Sequence, residues 1–259
     1  MVVKLKAQDI HIWQISFDDL QNVSAMTEGY QALLSKEELE HAGVIRVQKH
    51  KTIYILAKML VRKVLSDYCD IQANELQFEQ NPYGKPYLVN EETAPFTPQF
   101  NLSHCGNCIL LGVTKETALG VDVEMYNPSL VRDVDAIAAH FFTPYERDYI
   151  ANSGAAQHAF LQLWTLKEAW VKCIGKGLSM PLNGIEFRLA CQDRSSETPE
   201  NSDEKMQFYQ WINDNGNQSS LCLDVMQSHP VLTFYTMDKY WRSALDNIHP
   251  MNVPARFKF

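Results

Sequence analysis

Glu168 and Lys172 stand four residues apart in the stretch Leu-Trp-Thr-Leu-Lys-Glu-Ala-Trp-Val-Lys-Cys-Ile-Gly-Lys-Gly-Leu-Ser, residues 163–179. Leu163, Trp164, Leu166, Ala169, Trp170, Val171 and Ile174 recur at helical spacing, and Gly175 and Gly177 end the pattern. The spacing predicts a helix that puts Glu168 and Lys172 on one face, one turn apart. An isolated pair of this kind is an ordinary surface ion pair. Here it lies between two tryptophans and is followed by Lys176 in a glycine-rich exit, a setting that fits a partly enclosed polar site. A second acidic pair lies in Gly120-Val121-Asp122-Val123-Glu124. On a strand Asp122 and Glu124 share one face, and Val121 and Val123 take the other. Neighbouring carboxylates repel, so they are either a solvated acidic face or the ligands of a shared cation. Three carboxylates offer hard oxygen donors, which suit Mg²⁺ and not zinc. Magnesium takes few protein carboxylates and completes its shell with water and phosphate oxygens.

Several elements must position these groups. Residues 9–15, around Ile10, Ile12 and Trp13, read as a strand. Ser35 with Glu38 forms a capping box that starts a helix at residue 36. A longer helix is expected over roughly 47–68, with Ile53, Leu56, Leu60, Val64 and Leu65 on its apolar stripe. Its first turns carry Arg46, Lys49, His50 and Lys51, either a solvated face or an anion contact. Asn81-Pro-Tyr-Gly-Lys-Pro86 is a turn. Three β-like segments, 100–104, 108–114 and 118–124, are broken at Gly106-Asn107 and Lys115-Glu116 and predict a meander. Cys105 and Cys108 are a CxxC beside His104; the strand that follows them favours a hairpin turn with incidental cysteines over a redox or zinc motif. A helix is expected near 130–140. Thr143 with Glu146 is another capping box, with Pro144 at the first helical position, so Glu146 has a structural reading beside a catalytic one. Strands are expected near 185–190, 206–212, 220–226 and 231–236. Residues 192–205 read as a polar, mobile loop, and the tail after Pro250 has no clear period.

The 259 residues correspond to one large or two small domains. A net charge of −8 argues against general nucleic-acid binding, since an acidic surface does not attract phosphate backbones, but leaves room for a local anion site. No apolar run approaches the ~18 residues of a membrane span, and Met-Val-Val-Lys-Leu-Lys lacks a signal-peptide core, so a cytoplasmic protein is expected. Six cysteines are too sparse for a disulfide scaffold.

Taken in order, Tyr83-Gly84-Lys85-Pro86, Phe100-Asn101-Leu102-Ser103-His104, Gly120-Val121-Asp122-Val123-Glu124, Phe141-Phe142 with Glu146, and Trp164-Thr165-Leu166-Lys167-Glu168-Ala169 with Lys172 and Gly175-Lys176-Gly177-Leu178 form a set. The set resembles the 4′-phosphopantetheinyl transferases of the surfactin-synthetase type, over residues 35 to 190. The first two motifs favour the long, single-chain subgroup. The resemblance implies an α+β fold of two similar halves, 1–115 and 116–259, related by a pseudo-twofold axis, with coenzyme A in the cleft. It implies that Tyr83, Gly84, Lys85 and Pro86 form the loop on the adenine and 3′-phosphate side. Ser103 and His104 would be phosphate contacts. Asp122, Glu124 and Glu168 would be magnesium ligands, and Lys172 would sit beside the pyrophosphate. Cys105 stands where the family usually has serine or threonine.

The reaction so implied is Mg²⁺-dependent transfer of the 4′-phosphopantetheine arm of coenzyme A to a serine of an apo acyl or peptidyl carrier protein. Adenosine 3′,5′-bisphosphate would be released. Glu168 and Glu146 are both candidates for the base. The carrier would belong to fatty-acid, polyketide or nonribosomal peptide synthesis. With two fused halves a monomer suffices, and neither nucleic acid nor membrane is an expected partner. A coenzyme A-binding module without transfer activity and a metal-dependent pyrophosphate hydrolase are the alternatives. Docking of the carrier is expected on an apolar patch beyond Glu146 and around Lys176 and Leu178.

Overall fold

A computed structural model of the chain describes residues 5–17, 27, 29–89, 96–126, 134–189, 206–213, 215–224 and 230–236. The expected loop at 192–205 and the tail after Pro250 lie outside these residues, as does the side chain of Leu178. The chain forms two compact units of mixed helix and sheet, an α+β architecture.

The first unit comprises residues 1–80, 86–116 and 229–252. Its four-stranded sheet has the order β4 (Gln99–Cys105), β5 (Cys108–Thr114), β1 (Asp9–Ser16), β9 (Val231–Thr236). β1 lies between β5, antiparallel, and β9, parallel, with Ile12 opposite Gly112 on one side and Phe234 on the other. A central strand is covered on both faces, and His11 to Ile15 are all buried. α1 (Lys36–Val44) starts at the expected capping box: Ser35 Oγ accepts from the Glu38 N–H while the Glu38 side chain accepts from the Ser35 N–H. α2 (Gln48–Cys69) lays Leu56, Leu60, Val64 and Leu65 into one core with Trp13, Ile15, Phe100, Ile109 and Leu111. A short hairpin of β2 (Phe78–Gln80) and β3 (Pro86–Leu88) completes the unit. Cys105 and Cys108 face each other across the β4–β5 turn, as the hairpin reading expects, and no disulfide joins them.

The second unit comprises residues 81–85, 117–228 and 253–259. Its sheet has the order β6 (Leu119–Glu124), β8 (Gln218–Asp224), β7 (Met206–Ile212), all antiparallel. The expected meander therefore stops at β5: β6 pairs with β8, Gly120 opposite Cys222, and not with β5. The strand at 231–236 likewise joins the sheet of the first unit, although a division of the chain at 115/116 would assign it to the second. Three helices follow β6: α3 (Val134–Phe141), α4 (Pro144–Asn152) and α5 (Ala156–Ile174). α4 begins at the Thr143–Glu146 capping box with Pro144 at its first position. α5 buries Leu163, Leu166, Ala169 and Val171 against Phe208 and Cys222 of the sheet, and Gly175 ends it in the left-handed conformation at φ 73°.

The strand expected near 185–190 does not form over the described residues to 189; instead Ile185, Phe187 and Leu189 are buried in irregular chain. The Ile185 carbonyl accepts from Lys167 Nζ at 2.6 Å and the Phe187 N–H donates to Glu146 Oε1 at 2.8 Å. Side chains have taken two backbone groups that a ladder would need.

Candidate active site

In the second unit, Gly120 decides how closely α5 can approach β6. A Cβ at Gly120 would collide with the Ala169 carbonyl oxygen and the Cys173 nitrogen. With no side chain there, the helix backbone rests on the strand. Gly120, Asp122 and Glu124 share that face of the strand by alternation, so the acidic pair is turned toward α5. Lys172 Nζ then donates to Asp122 Oδ1 at 2.6 Å, across fifty residues of sequence. Asp122 is 3% exposed, and Lys172 and Glu124 are half-buried.

Glu168 lies one turn before Lys172 and is also half-buried. Burial pushes its carboxyl above the usual carboxylate range, and repulsion from Asp122 and Glu124 adds to this, while Lys172 opposes it. The structure thus brings all four predicted groups into one electrostatic neighbourhood with three carboxylates and one ammonium. Among the described residues no three acidic, His or Cys side chains stand drawn together as a ready-made metal-holding group. The donor chemistry nevertheless fits a hard divalent cation: the oxygens come from one strand face and the facing helix, and Asp122 and Glu124 add to the upward push that burial gives the Glu168 carboxyl, a repulsion such a cation would relieve.

Glu146 is placed differently. It is 0% exposed, and its oxygens accept from Lys167 Nζ at 2.9 Å, the Thr143 N–H at 2.9 Å and the Phe187 N–H at 2.8 Å. Lys167 is equally buried, and its ammonium also donates to the carbonyls of Leu182 and Ile185. Desolvation pushes the Glu146 carboxyl up and the Lys167 ammonium down, and their mutual attraction opposes both shifts. Sequence reading missed this pair because the partners are twenty-one residues apart; the only local signal is the capping box.

The loop at 81–86 divides between the units. Asn81 Oδ1 accepts from the N–H groups of Tyr83 and Lys85, and Gly84 turns the chain at φ 90°. Tyr83 is exposed. The Lys85 ammonium donates to the carbonyls of Leu119, at 3.0 Å, and Cys173, at 3.1 Å.

In the first unit a cavity of about 1250 Å³ is lined by side chains of α1, α2, β2, β3 and β4, including Tyr54, Lys58, Arg62, Pro86, Phe100 and His104. Phe100, Leu102 and His104 alternate onto the cavity face of β4. Ser103 faces the other way and is buried, so the structure brings His104 and Pro86 to this cavity and leaves Ser103 out. Of the basic residues around the start of α2, Arg46, Lys49, His50 and Lys51, it is His50 that reaches the wall. Tyr54 and Lys58, one and two turns further along that face of α2, were not singled out in the sequence. Their i, i+4 spacing from His50 and Tyr54 was the available signal.

Two family descriptions match the chain: the 4′-phosphopantetheinyl transferase superfamily over residues 118–225, and the N-terminal region of 4′-phosphopantetheinyl transferases over residues 22–116. The chain belongs to the 4′-phosphopantetheinyl transferase superfamily. It is 32% identical over 216 residues to slr0495 of Synechocystis sp., named as a candidate transferase of this kind, covering 82% of this chain and 79% of the relative. It is 28% identical to the 4′-phosphopantetheinyl transferase HetI of Nostoc sp. over 71% of this chain and 76% of the relative. It is 30% identical to the 4′-phosphopantetheinyl transferase Sfp of Bacillus subtilis over 62% of this chain and 69% of the relative.

Proposed function

We propose that the chain transfers the 4′-phosphopantetheine arm of coenzyme A to a serine hydroxyl of an apo carrier protein. The observation that carries this reading is the grouping of Asp122, Glu124, Glu168 and Lys172 on β6 and α5, in a chain of this superfamily. The serine oxygen attacks the β-phosphorus of coenzyme A, forming the new O–P bond. The bond from that phosphorus to the bridging oxygen breaks, and adenosine 3′,5′-bisphosphate leaves with the electron pair. Phosphoryl transfer asks the protein for positioning and charge neutralisation rather than covalent chemistry.

Lys172, held by Asp122, places its positive charge beside the pyrophosphate. Asp122, Glu124 and Glu168 are the residues that would hold a Mg²⁺, which when bound neutralises the developing charge. Glu168 takes the serine proton: it is half-buried on α5, one turn before Lys172 and in the same charge group as Asp122 and Glu124. Glu146, whose two oxygens are occupied inside the unit, holds the fold instead. The first unit binds the nucleotide end of the substrate. Its cavity exceeds the usual 300–1,000 Å³ of small-ligand pockets. Its wall offers His104 to the 3′-phosphate and Tyr54, Phe100 and Pro86 to the base. The work divides near residue 116, nucleotide groups before it and metal and transfer groups after it. The carrier meets the second unit near Lys176. No described helix is long and apolar enough to cross a membrane.

The test is mass spectrometry of an apo carrier protein incubated with the protein, coenzyme A and Mg²⁺. The expected result is a carrier heavier by one phosphopantetheine arm. Hydrolysis of coenzyme A without a carrier would indicate a pyrophosphate hydrolase, and no change at all would indicate a binding module.

A further inference from the structure

Lys85 sits in the loop read as the nucleotide loop, yet its ammonium is engaged by backbone of the transfer site. The loop is built to aim it. Asn81 Oδ1 accepts from the N–H groups of Tyr83 and Lys85, the Asn81 N–H donates to the Lys85 carbonyl, and the Gly84 N–H donates to the Asn81 carbonyl, each at 2.9 Å. Asn81 Nδ2 also donates to the Gly175 carbonyl at 2.7 Å, fixing the loop to the C-terminal end of α5. The Lys85 stem then passes over Gly175, where a Cβ would come to 2.9 Å of Lys85 Cδ. Gly175 is thus required twice, for its φ of 73° and for this passage.

At the end of the stem, Nζ donates to the carbonyl of Leu119, three residues before Asp122 on β6. It also donates to the carbonyl of Cys173, the residue after Lys172 on α5. A cation at a helix C-terminus satisfies carbonyls that the helix itself leaves open. Burial pulls the ammonium below its usual range, so the site holds it at a cost that the two carbonyls offset.

We propose that Lys85 is a positioning residue for the transfer: its ammonium ties β6 to the end of α5 and so holds Asp122 against Glu168 and Lys172, instead of contacting a substrate phosphate. The inference rests on the function proposed above. It makes residues 81–85 and the carboxylate site one mechanical piece, because Asn81 and Lys85 both bond to backbone at the end of α5.

Lys85→Met in the full chain keeps the stem and removes the ammonium. Loss of registry at a site that works by positioning lowers kcat by about tenfold to a hundredfold. The Mg²⁺ concentration for half-maximal rate rises several-fold, and the ratio of KM values for coenzyme A and 3′-dephospho-coenzyme A stays at the wild-type value. Amide hydrogen exchange accelerates over residues 119–124 and 171–175. A collapse of the coenzyme A preference would make Lys85 a phosphate ligand and overturn the proposal. Unchanged exchange and unchanged Mg²⁺ dependence would also overturn it. Should Lys85→Met not fold, Lys85→Gln keeps a neutral donor on a shorter stem and is read by the same measurements. If the wild-type protein modifies no carrier, the functional reading fails, while the exchange comparison still decides whether Lys85 ties the two elements.

Discussion

Each unit carries a capping-box glutamate aimed at a cation on its long helix. In the first, Glu38 caps α1 and pairs with Arg62 of α2; in the second, Glu146 caps α4 and pairs with Lys167 of α5. Each cation lies seven residues before the end of its helix, Arg62 before Cys69 and Lys167 before Ile174. Each also donates to two carbonyls of the short turn that follows, Ala73 and Leu76 or Leu182 and Ile185. Each lies over a phenylalanine beyond that turn, Phe78 or Phe187. This is the content that two similar halves would share.

The differences show where chemistry was placed. The Lys167–Glu146 side chains are 0% exposed, whereas Glu38 is 11% exposed, forms part of the cavity wall and takes a second cation, Lys58, at 3.2 Å. One residue further along each helix the contrast sharpens. Lys63 pairs with Asp67 of its own helix, at 2.6 Å, and closes on itself. The matching positions in α5 hold Glu168 and Lys172, with the signs reversed, and Lys172 reaches out to Asp122 on the strand. The staple is structural in both units; only in the second does the next turn carry an open set of charges.

The largest expected effect tests that contrast directly. Glu168→Gln lowers kcat for carrier modification by about 10²–10⁴-fold, the usual contribution of a positioned base. Lys63→Met, its counterpart, leaves the rate alone and costs only about 0.3–0.5 kcal/mol in urea unfolding. A comparable rate loss from both would dissolve the distinction between the helices.

Next is the staple. Lys167→Met leaves Glu146 buried and unpaired and lowers stability by about 3–5 kcal/mol. Arg62→Met costs less, since Lys58 still neutralises Glu38. Urea melts of the two variants measure this, and equal losses would mean that the sealing of the second staple has no energetic consequence.

The smallest effect concerns acid. His11 in the first unit bonds Tyr68 Oη at 2.6 Å and is 4% exposed; burial lowers its pKa to about 4, against a smaller upward pull from Asp9. The unfolded chain therefore binds this proton first, and stability of the first unit falls as pH drops from 6.5 to about 4, by on the order of 3 kcal/mol. The second unit responds with the opposite sign at Glu146 and Glu168, whose raised carboxyls bind protons in the folded state first and gain stability as pH falls toward 4.5. Its own buried polar cluster of Thr165, Gln210 and Ser220 has nothing to titrate. Segment-resolved hydrogen exchange at pH 7 and 5 reads the difference, and an NMR midpoint for His11 near 6.5 would contradict it.

Much of this was legible in local pattern. Both capping boxes, the long helices, the Cys105–Cys108 hairpin and the shared face of Asp122 and Glu124 follow from spacing, because periods of two and 3.6 and first-turn hydrogen bonds are local. What local pattern could not give is pairing at a distance. β6 pairs with β8 and, through Gly120, receives α5 on its face, and nothing in Gly-Val-Asp-Val-Glu announces either partner. The 185–190 strand fails because Lys167 and Glu146 capture Ile185 and Phe187. The side chain of Lys85 serves β6 and α5, while the spelling of its loop points only to a turn.

The central claim is that Asp122, Glu124 and Glu168 together hold a magnesium ion that meets the pyrophosphate of coenzyme A. Calorimetric titration of coenzyme A into the wild-type protein and Asp122→Asn, each with Mg²⁺ and with chelator, tests it most directly. The account predicts that Mg²⁺ tightens binding to the wild type by about tenfold or more, some 1.4 kcal/mol, and does nothing for Asp122→Asn. An equal gain in both proteins, or none in the wild type, would contradict it.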